Sequence, residues 1–286
     1  MSAAEFLDLA LSPLSYGYMR NAIFGAGIVG AMCAVLSCFV TLRGWALLGD
    51  ALSHAVVPGV ALAYLAGLPF IAGAFAAGLL AVAGIGIVER STTLKGDAAI
   101  GVVFSTFLAA GLLLVSLYPS NLRLTTILFG NLLGISDTDL MQVYAAGGIC
   151  LVVLLLFWKD LLLLSFDPAH ARSIGLPVRA LHFLLLALLS LAAVSALQAV
   201  GAILVVAMLV TPGATAYLLT DSFRRMLVIA PVLGGAATML GAYASFFLDA
   251  SVGGCIVVLQ TAIFLACWLL APKHGLLAGR RRAVAA

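Results

Sequence analysis

Asp50 and His54 are the residues of this 286-residue chain whose types and spacing most directly suggest chemistry. Both fall inside a run of otherwise apolar residues. Residues i and i+4 share one helix face, so a carboxylate and an imidazole at this spacing can address a single point. Facing a common cavity, they form half of a divalent-metal site, with donor atoms suited to first-row ions such as Mn²⁺, Fe²⁺ or Zn²⁺. The same pair could instead hydrogen-bond internally and hold helices together, or relay protons. Four residues further on, Pro58-Gly59 should interrupt the helix and free backbone groups able to line a cavity.

A second patterned segment lies at 159–179. Asp167 has the properties of an N-cap, Pro168 suits the first helical position and Gly175 suits the residue after the last turn. Together they predict a self-capped helix of about two turns carrying His170 and Arg172. Other candidates are weaker. His182 reads as a histidine at a membrane boundary, with an exit-path ligand as the alternative. Asp137, Asp139 and Asp249 fall on loops opposite the basic ones. His170 and His274 have no metal-cluster spacing. The five cysteines all stand in apolar stretches without a C-x-x-C pair, and are read as small hydrophobes.

The elements that must position these residues follow from composition. Apolar residues make up 64% of the chain and charged ones only 9%, with mean hydropathy +1.24. A soluble domain is nearer about 25% charged, so this balance excludes an ordinary soluble fold. A net charge of +3 is too small to suggest nucleic-acid binding. There is no P-loop, H-E-x-x-H or G-x-S-x-G, so neither an ATP site nor a hydrolase nucleophile is expected. Nearly uncharged runs occupy 22–42, 45–66, 69–88, 98–117, 140–158, 180–199, 200–219, 226–248 and 252–271. A helix needs about 20 apolar residues to cross about 30 Å of hydrocarbon. The 180–219 run would be about 60 Å long as one helix, so it must fold back, with Gln198 and Gly201 marking the turn.

The expected fold is therefore all-α: a polytopic transmembrane helical bundle of about nine spans. Alternating them places 12 of the 14 basic residues on one side, leaving Arg20 and Arg123 opposite. By the positive-inside rule the C-terminus is cytoplasmic and the N-terminus outside. Asp50 then lies about 10 Å into the membrane and His54 near its midplane. An Asp at the centre of a span costs about 2.5–3.5 kcal/mol on insertion scales, a cost that normally marks a pathway. Residues 1–21 form an N-terminal extracytoplasmic or interfacial segment, 22–271 the membrane domain and 272–286 a basic cytoplasmic tail. Glu5 and Asp8 stand where a secretory leader would be basic, so no cleaved leader is expected. The apolar stretch 125–135 is too short to cross and is read as re-entrant, interfacial or packed loop. Pro58-Gly59 and Pro212-Gly213, each followed by a Tyr, lie on spans of opposite direction, a pairing read as coincidence rather than an inverted repeat.

The wording of the first segment adds to this. Leu48-Gly49-Asp50-Ala51-Leu52-Ser53-His54-Ala55-Val56-Val57-Pro58-Gly59-Val60-Ala61 resembles the signature of the ABC-3 permease family. The similarity continues through Leu128-Phe129-Gly130-Asn131, through 200–209, and through Thr211-Pro212-Gly213-Ala214-Thr215-Ala216. The resemblance implies the membrane subunit of an ATP-binding-cassette importer for manganese, zinc or iron, in a bacterial inner membrane. It implies metal contact at Asp50 and His54, and a pathway including Pro58, Gly59, Asn131, Thr211 and Pro212. Many members carry an acidic residue where this chain has Asn131, so a third carboxylate ligand is not supplied there. The implied partners are cytoplasmic ATPase subunits, an extracytoplasmic metal-binding protein and a second permease protomer. Asp167, Pro168, His170, Arg172 and Gly175 would then form the coupling helix that meets the ATPase. The chain would hold no permanent cofactor and not be an enzyme itself; Mn²⁺ is the favoured cargo. The competing readings are a secondary transporter using Asp50 and His54 as a proton or cation relay, and a membrane scaffold.

Overall fold

The structure is a computed structural model and describes residues 11–93, 96–118 and 132–271. Among these residues it is helical, without strands. The helices are α1 (Gly17–Arg43), α2 (Ala46–Ala55), α3 (Val57–Leu65), α4 (Phe70–Ser91), α5 (Gly96–Leu117), α6 (Asp137–Phe166), α7 (Pro168–Ser173), α8 (Val178–Val200), α9 (Ala202–Leu219), α10 (Phe223–Leu248) and α11 (Val252–Leu270). Among the described residues eight segments are long and apolar enough to cross a membrane, counting α2 and α3 as one, and α9 is a slightly shorter ninth. The span count expected from hydropathy is therefore closely matched. Of the 125–135 stretch only a single 3-10 turn, Leu132–Gly134, is described. Asn131, residues 1–10 and the basic tail 272–286 lie outside the described residues.

α1 is the axis of the bundle. It packs against α6, α8, α9 and α10, and is buried along most of its length. In lipid, helices gain little by hiding apolar surface from one another, so close approach of small residues drives packing. A methyl group at Gly234 of α10 would lie 2.6 Å from Ala34 Cβ and 3.1 Å from the Gly30 carbonyl of α1. One at Gly213 of α9 would strike the Ser37 carbonyl, also on α1. Helices α2 to α5 form the other flank, where α3 and α4 cross at Gly59 and Gly73 with their backbones in contact distance.

The 180–219 run folds back as its length requires. Helix α8 ends at Val200, and Gly201 takes φ +84°, ψ 162°, a conformation that L side chains rarely adopt. Of the two markers, Gly201 forms the turn, while Gln198 remains inside α8. The second span is interrupted, but at Val56 rather than at Pro58-Gly59. Pro58 cannot donate to the His54 carbonyl four residues back, and its ring would clash there, so the α2 ladder stops before the proline is reached. Pro212 behaves differently and sits inside a continuous α9. The two Pro-Gly pairs are thus not matching interruptions, in line with reading them as coincidence. Helix α6 runs to Phe166, eight residues past the apolar run. Lys159 and Asp160 end the hydropathy but contain no helix breaker; Asp167-Pro168 does.

Candidate metal site

On α2, Ala51, Leu52, Ser53 and Ala55 are buried against the neighbouring helices α4, α5, α8 and α9. The face carrying Asp50 and His54 stays open, with 45% and 22% of their side chains accessible. His54 Nε2 stands 3.5 Å from Asp50 Oδ1. Two ligand atoms about 2.1 Å from one ion, at the angles of octahedral or tetrahedral coordination, lie about 3.0–3.4 Å apart. The pair is close to that spacing without rotamer change. Ser53 Oγ donates to the Asp50 carbonyl at 2.8 Å, so the hydroxyl is engaged with backbone and turned from the pair. The His54 ring lies 5.7 Å, centroid to centroid, from Phe104 of α5. Phe104 is a contact that sequence reasoning missed, because a phenylalanine in an apolar span gives no signal of which residue it meets. No group of three or more His, Cys, Asp or Glu side chains gathers among the described residues. Among the described residues, one chain therefore brings two potential donor side chains and an open face.

The other pathway candidates are distributed differently. Pro58 and Gly59 are buried at the start of α3, next to Gly111 of α5 and Gly73 of α4 respectively. They fix how the second half of the span leaves the pair. Thr211 and Pro212 are not brought to Asp50 and His54. With Thr215, Gly234, Ala237 and Gln260 they line a cavity of about 10 Å³ among α9, α10 and α11. Thr215 Oγ1 donates to the Thr211 carbonyl at 2.7 Å.

The segment after α6 folds as its caps dictate. Asp167 Oδ1 accepts from the amides of Ala169 (3.0 Å) and His170 (2.9 Å), with Pro168 in the first turn. Gly175 takes φ +84°, and its amide donates to the Arg172 carbonyl while Leu176 donates to Ala171. This 5→2 and 6→1 pair is the Schellman arrangement. The helix is shorter than two turns, six residues, because Ile174 already leaves helical geometry. Its inward residue, Ala171, is buried, and His170 and Arg172 are exposed.

His182 sits in the first turns of α8 and faces Arg43 of α1. Arg43 Nη1 lies 3.2 Å from its Nδ1, and a guanidinium can only donate, so Nδ1 accepts. Arg43 also donates to the Leu164 carbonyl and to Ser165 Oγ, and stacks over Trp45 at 4.5 Å. Cys33, Cys38 and Cys150 are buried and all five cysteines are unbridged, as expected of small hydrophobes.

Comparison with known proteins decides the family: the profile of the ABC 3 transport family matches residues 15–271. The chain belongs to that family. It is a multi-pass membrane permease of an ABC transport system. It is 55% identical over 276 residues to the chelated iron transport system membrane protein YfeC of Yersinia pestis, covering 96% of this chain and 94% of that one. Over 276 residues it is 50% identical to the manganese transport system membrane protein MntB of a Synechocystis strain, covering 96% and 90%. The solved structure of PsaBC from Streptococcus pneumoniae in complex with Fab superposes with TM-score 0.86 at 40% identity, covering 98% of this chain and 100% of that one.

Proposed function

We propose that the chain is the membrane half of a homodimeric importer that carries a divalent transition-metal ion, with Mn²⁺ the favoured cargo and Fe²⁺ or Zn²⁺ the alternatives. The observation that carries this reading is the convergence of Asp50 and His54 on the one open face of an interrupted span. The ion is substrate, not a resident cofactor. Asp50 supplies the charge that draws the cation from water, and His54 supplies a nitrogen donor. Two donors leave the shell incomplete, which is met if the open faces of two protomers come together and place two such pairs around one ion. The relatives named for manganese and for chelated iron support the class of cargo.

The sequence carries no P-loop, and membership in an ABC transport family supports energy entering through a partner. Helix α7, capped at both ends and exposing His170 and Arg172, is the docking element for a cytoplasmic ATPase; Asp167, Pro168 and Gly175 hold its shape. Arg43, Arg172 and Arg179 line one cavity at one end of the bundle. Asn21 and Asp137 hydrogen-bond to each other at 3.4 Å, near Arg20. Gathering of the basic residues at one end supports a cytoplasmic Arg-rich end, an outward N-terminal segment 1–21, a membrane domain 22–271 and an inward tail 272–286. An extracytoplasmic metal-binding protein delivers the ion at the opposite mouth, in a bacterial inner membrane.

The test is Asp50→Asn, which keeps size and hydrogen bonding while removing charge. Labelled Mn²⁺ uptake by the assembled importer should be lost while membrane insertion and ATPase association persist. Normal uptake by the well-expressed variant would remove Asp50 as a metal ligand.

A further inference from the structure

At the Arg-rich end, a cavity of about 1190 Å³ opens between the ends of α1, α4, α6 and α8 and the flank of α7. Arg43, Arg172, Arg179 and His182 line it, and among the described side chains no carboxylate does. Arg43 and His182 are held in place by their mutual contact and by α6. Arg172 and Arg179 are exposed and make no ion pair with a described residue. The rest of the wall is apolar, and two of its members, Ile87 of α4 and Phe183 of α8, are 66% and 50% exposed. The wall is therefore cationic toward α7 and oily toward the spans.

We infer that this cavity is a binding site for an anionic phospholipid. The guanidinium forks of Arg172 and Arg179 take the phosphate oxygens, and the first methylenes of the acyl chains lie on Ile87, Phe183 and Leu186. Basic pockets between spans at the end of a helical bundle suit this chemistry, since phosphate meets arginine in bidentate geometry while the tails remain in hydrocarbon. A free phosphate would use the arginines but leave the apolar half of the wall against water. An acidic protein segment would do the same on the side facing the bilayer. The lipid satisfies both halves. The site adjoins Pro168 and Arg172 of α7, so its occupant bears on that helix directly.

The experiment is native mass spectrometry of the full-length protein in detergent, titrated with phosphatidylglycerol or with phosphatidylcholine of the same chain length. The wild type should retain phosphatidylglycerol in preference. Each arginine near a lipid headgroup contributes a factor of about five, so Arg172→Gln/Arg179→Gln should weaken that preference about 30-fold. Ile87→Glu, on a different helix, should weaken it through a carboxylate in the wall. Arg224→Gln/Arg225→Gln, which removes two exposed arginines outside the cavity, should leave it intact. Equal loss in both arginine pairs would reduce the binding to general surface charge and overturn the site. Displacement of the lipid by inorganic phosphate alone would reassign it to a free anion. A further arm rests on the proposed docking of the ATPase at α7: the lipid should persist in the assembled complex, with the ATPase reaching α7 through His170, and its loss there would overturn the site. Unchanged preference in both the Arg172→Gln/Arg179→Gln and Ile87→Glu proteins would also refute it.

Discussion

Gly175 offers a clean test of whether backbone conformation alone sets the shape of α7. Its φ of +84° lies in the region that side chains avoid, yet a Cβ there would meet no atom within 4 Å. A substitution therefore carries a conformational cost and no packing cost. For alanine the left-handed conformation costs about 1–2 kcal/mol, asparagine is better tolerated, and a β-branched valine stands above alanine. The motif that Gly175 closes consists of two amide bonds, its own to Arg172 and that of Leu176 to Ala171, at 3.1 and 3.0 Å. One to two kcal/mol is a factor of about 5–30 in the opening equilibrium. Amide exchange at Leu176 should accelerate by about that factor in Gly175→Ala, more in Gly175→Val and least in Gly175→Asn. Global thermal unfolding should hardly move. In the assembled importer the same order should appear in the ratio of ions moved to ATP hydrolysed. If Gly175→Val exchanges like the wild type, the cap does not hold the helix, and the segment behaves as an ordinary loop.

Three further outcomes follow from other contacts. Asp167→Ala removes the acceptor for two amides at the other end of α7 and should cost about 0.5–2 kcal/mol of local stability, read by exchange at Ala169 and His170. Gly59→Ala drives a methyl group into the Gly73 carbonyl, and overpacking of this kind costs about 1–3 kcal/mol. Its melting temperature in detergent should fall, whereas Gly86→Ala on the same helix as Gly73, where a Cβ meets nothing within 4 Å, should be neutral. Zn²⁺ binds an Asp–His pair more tightly than Mn²⁺ and should dwell there as an inhibitor. His54→Ala should relieve Zn²⁺ inhibition of labelled Mn²⁺ uptake, and undiminished sensitivity in a transporting variant would place the block elsewhere.

The parts of this fold written in local chemistry could be read from the chain. Nine apolar runs correspond to described helical spans, because eight are long enough to cross and the ninth, α9, falls only slightly short. That 180–219 must fold back followed from length, with Gly201 the marker that held, and both caps of α7 followed from Asp167, Pro168 and Gly175. Exact breaks were less accessible. Proline acts on the carbonyl four residues before it, which moved the interruption upstream to Val56. Helix α6 outran its hydropathy because a helix ends where a breaker stands, not where charge begins. What sequence could not supply was tertiary placement. Asp50 and His54 meet because helical spacing guarantees it. Phe104 over His54 and the seating of Thr211 against α10 and α11 depend on which faces the helices turn to one another.

The length of α6 has a mechanical consequence. Thirty residues in one unbroken helix span about 45 Å, some 15 Å more than the hydrocarbon, and only Asp167 separates its tip from α7. A rigid rod of this length, pivoted at its centre, would act as a see-saw. Tilting it by about 5° around its centre swings each tip about 2 Å in opposite directions, by the geometry of a helix of that length. The end that carries Asp137, hydrogen-bonded to Asn21 near the start of α1, would then move against the end that carries α7. Pivoting freely, such a rod would deliver a small displacement of α7, reversed in sign and undiminished in size, to the other end of the bundle.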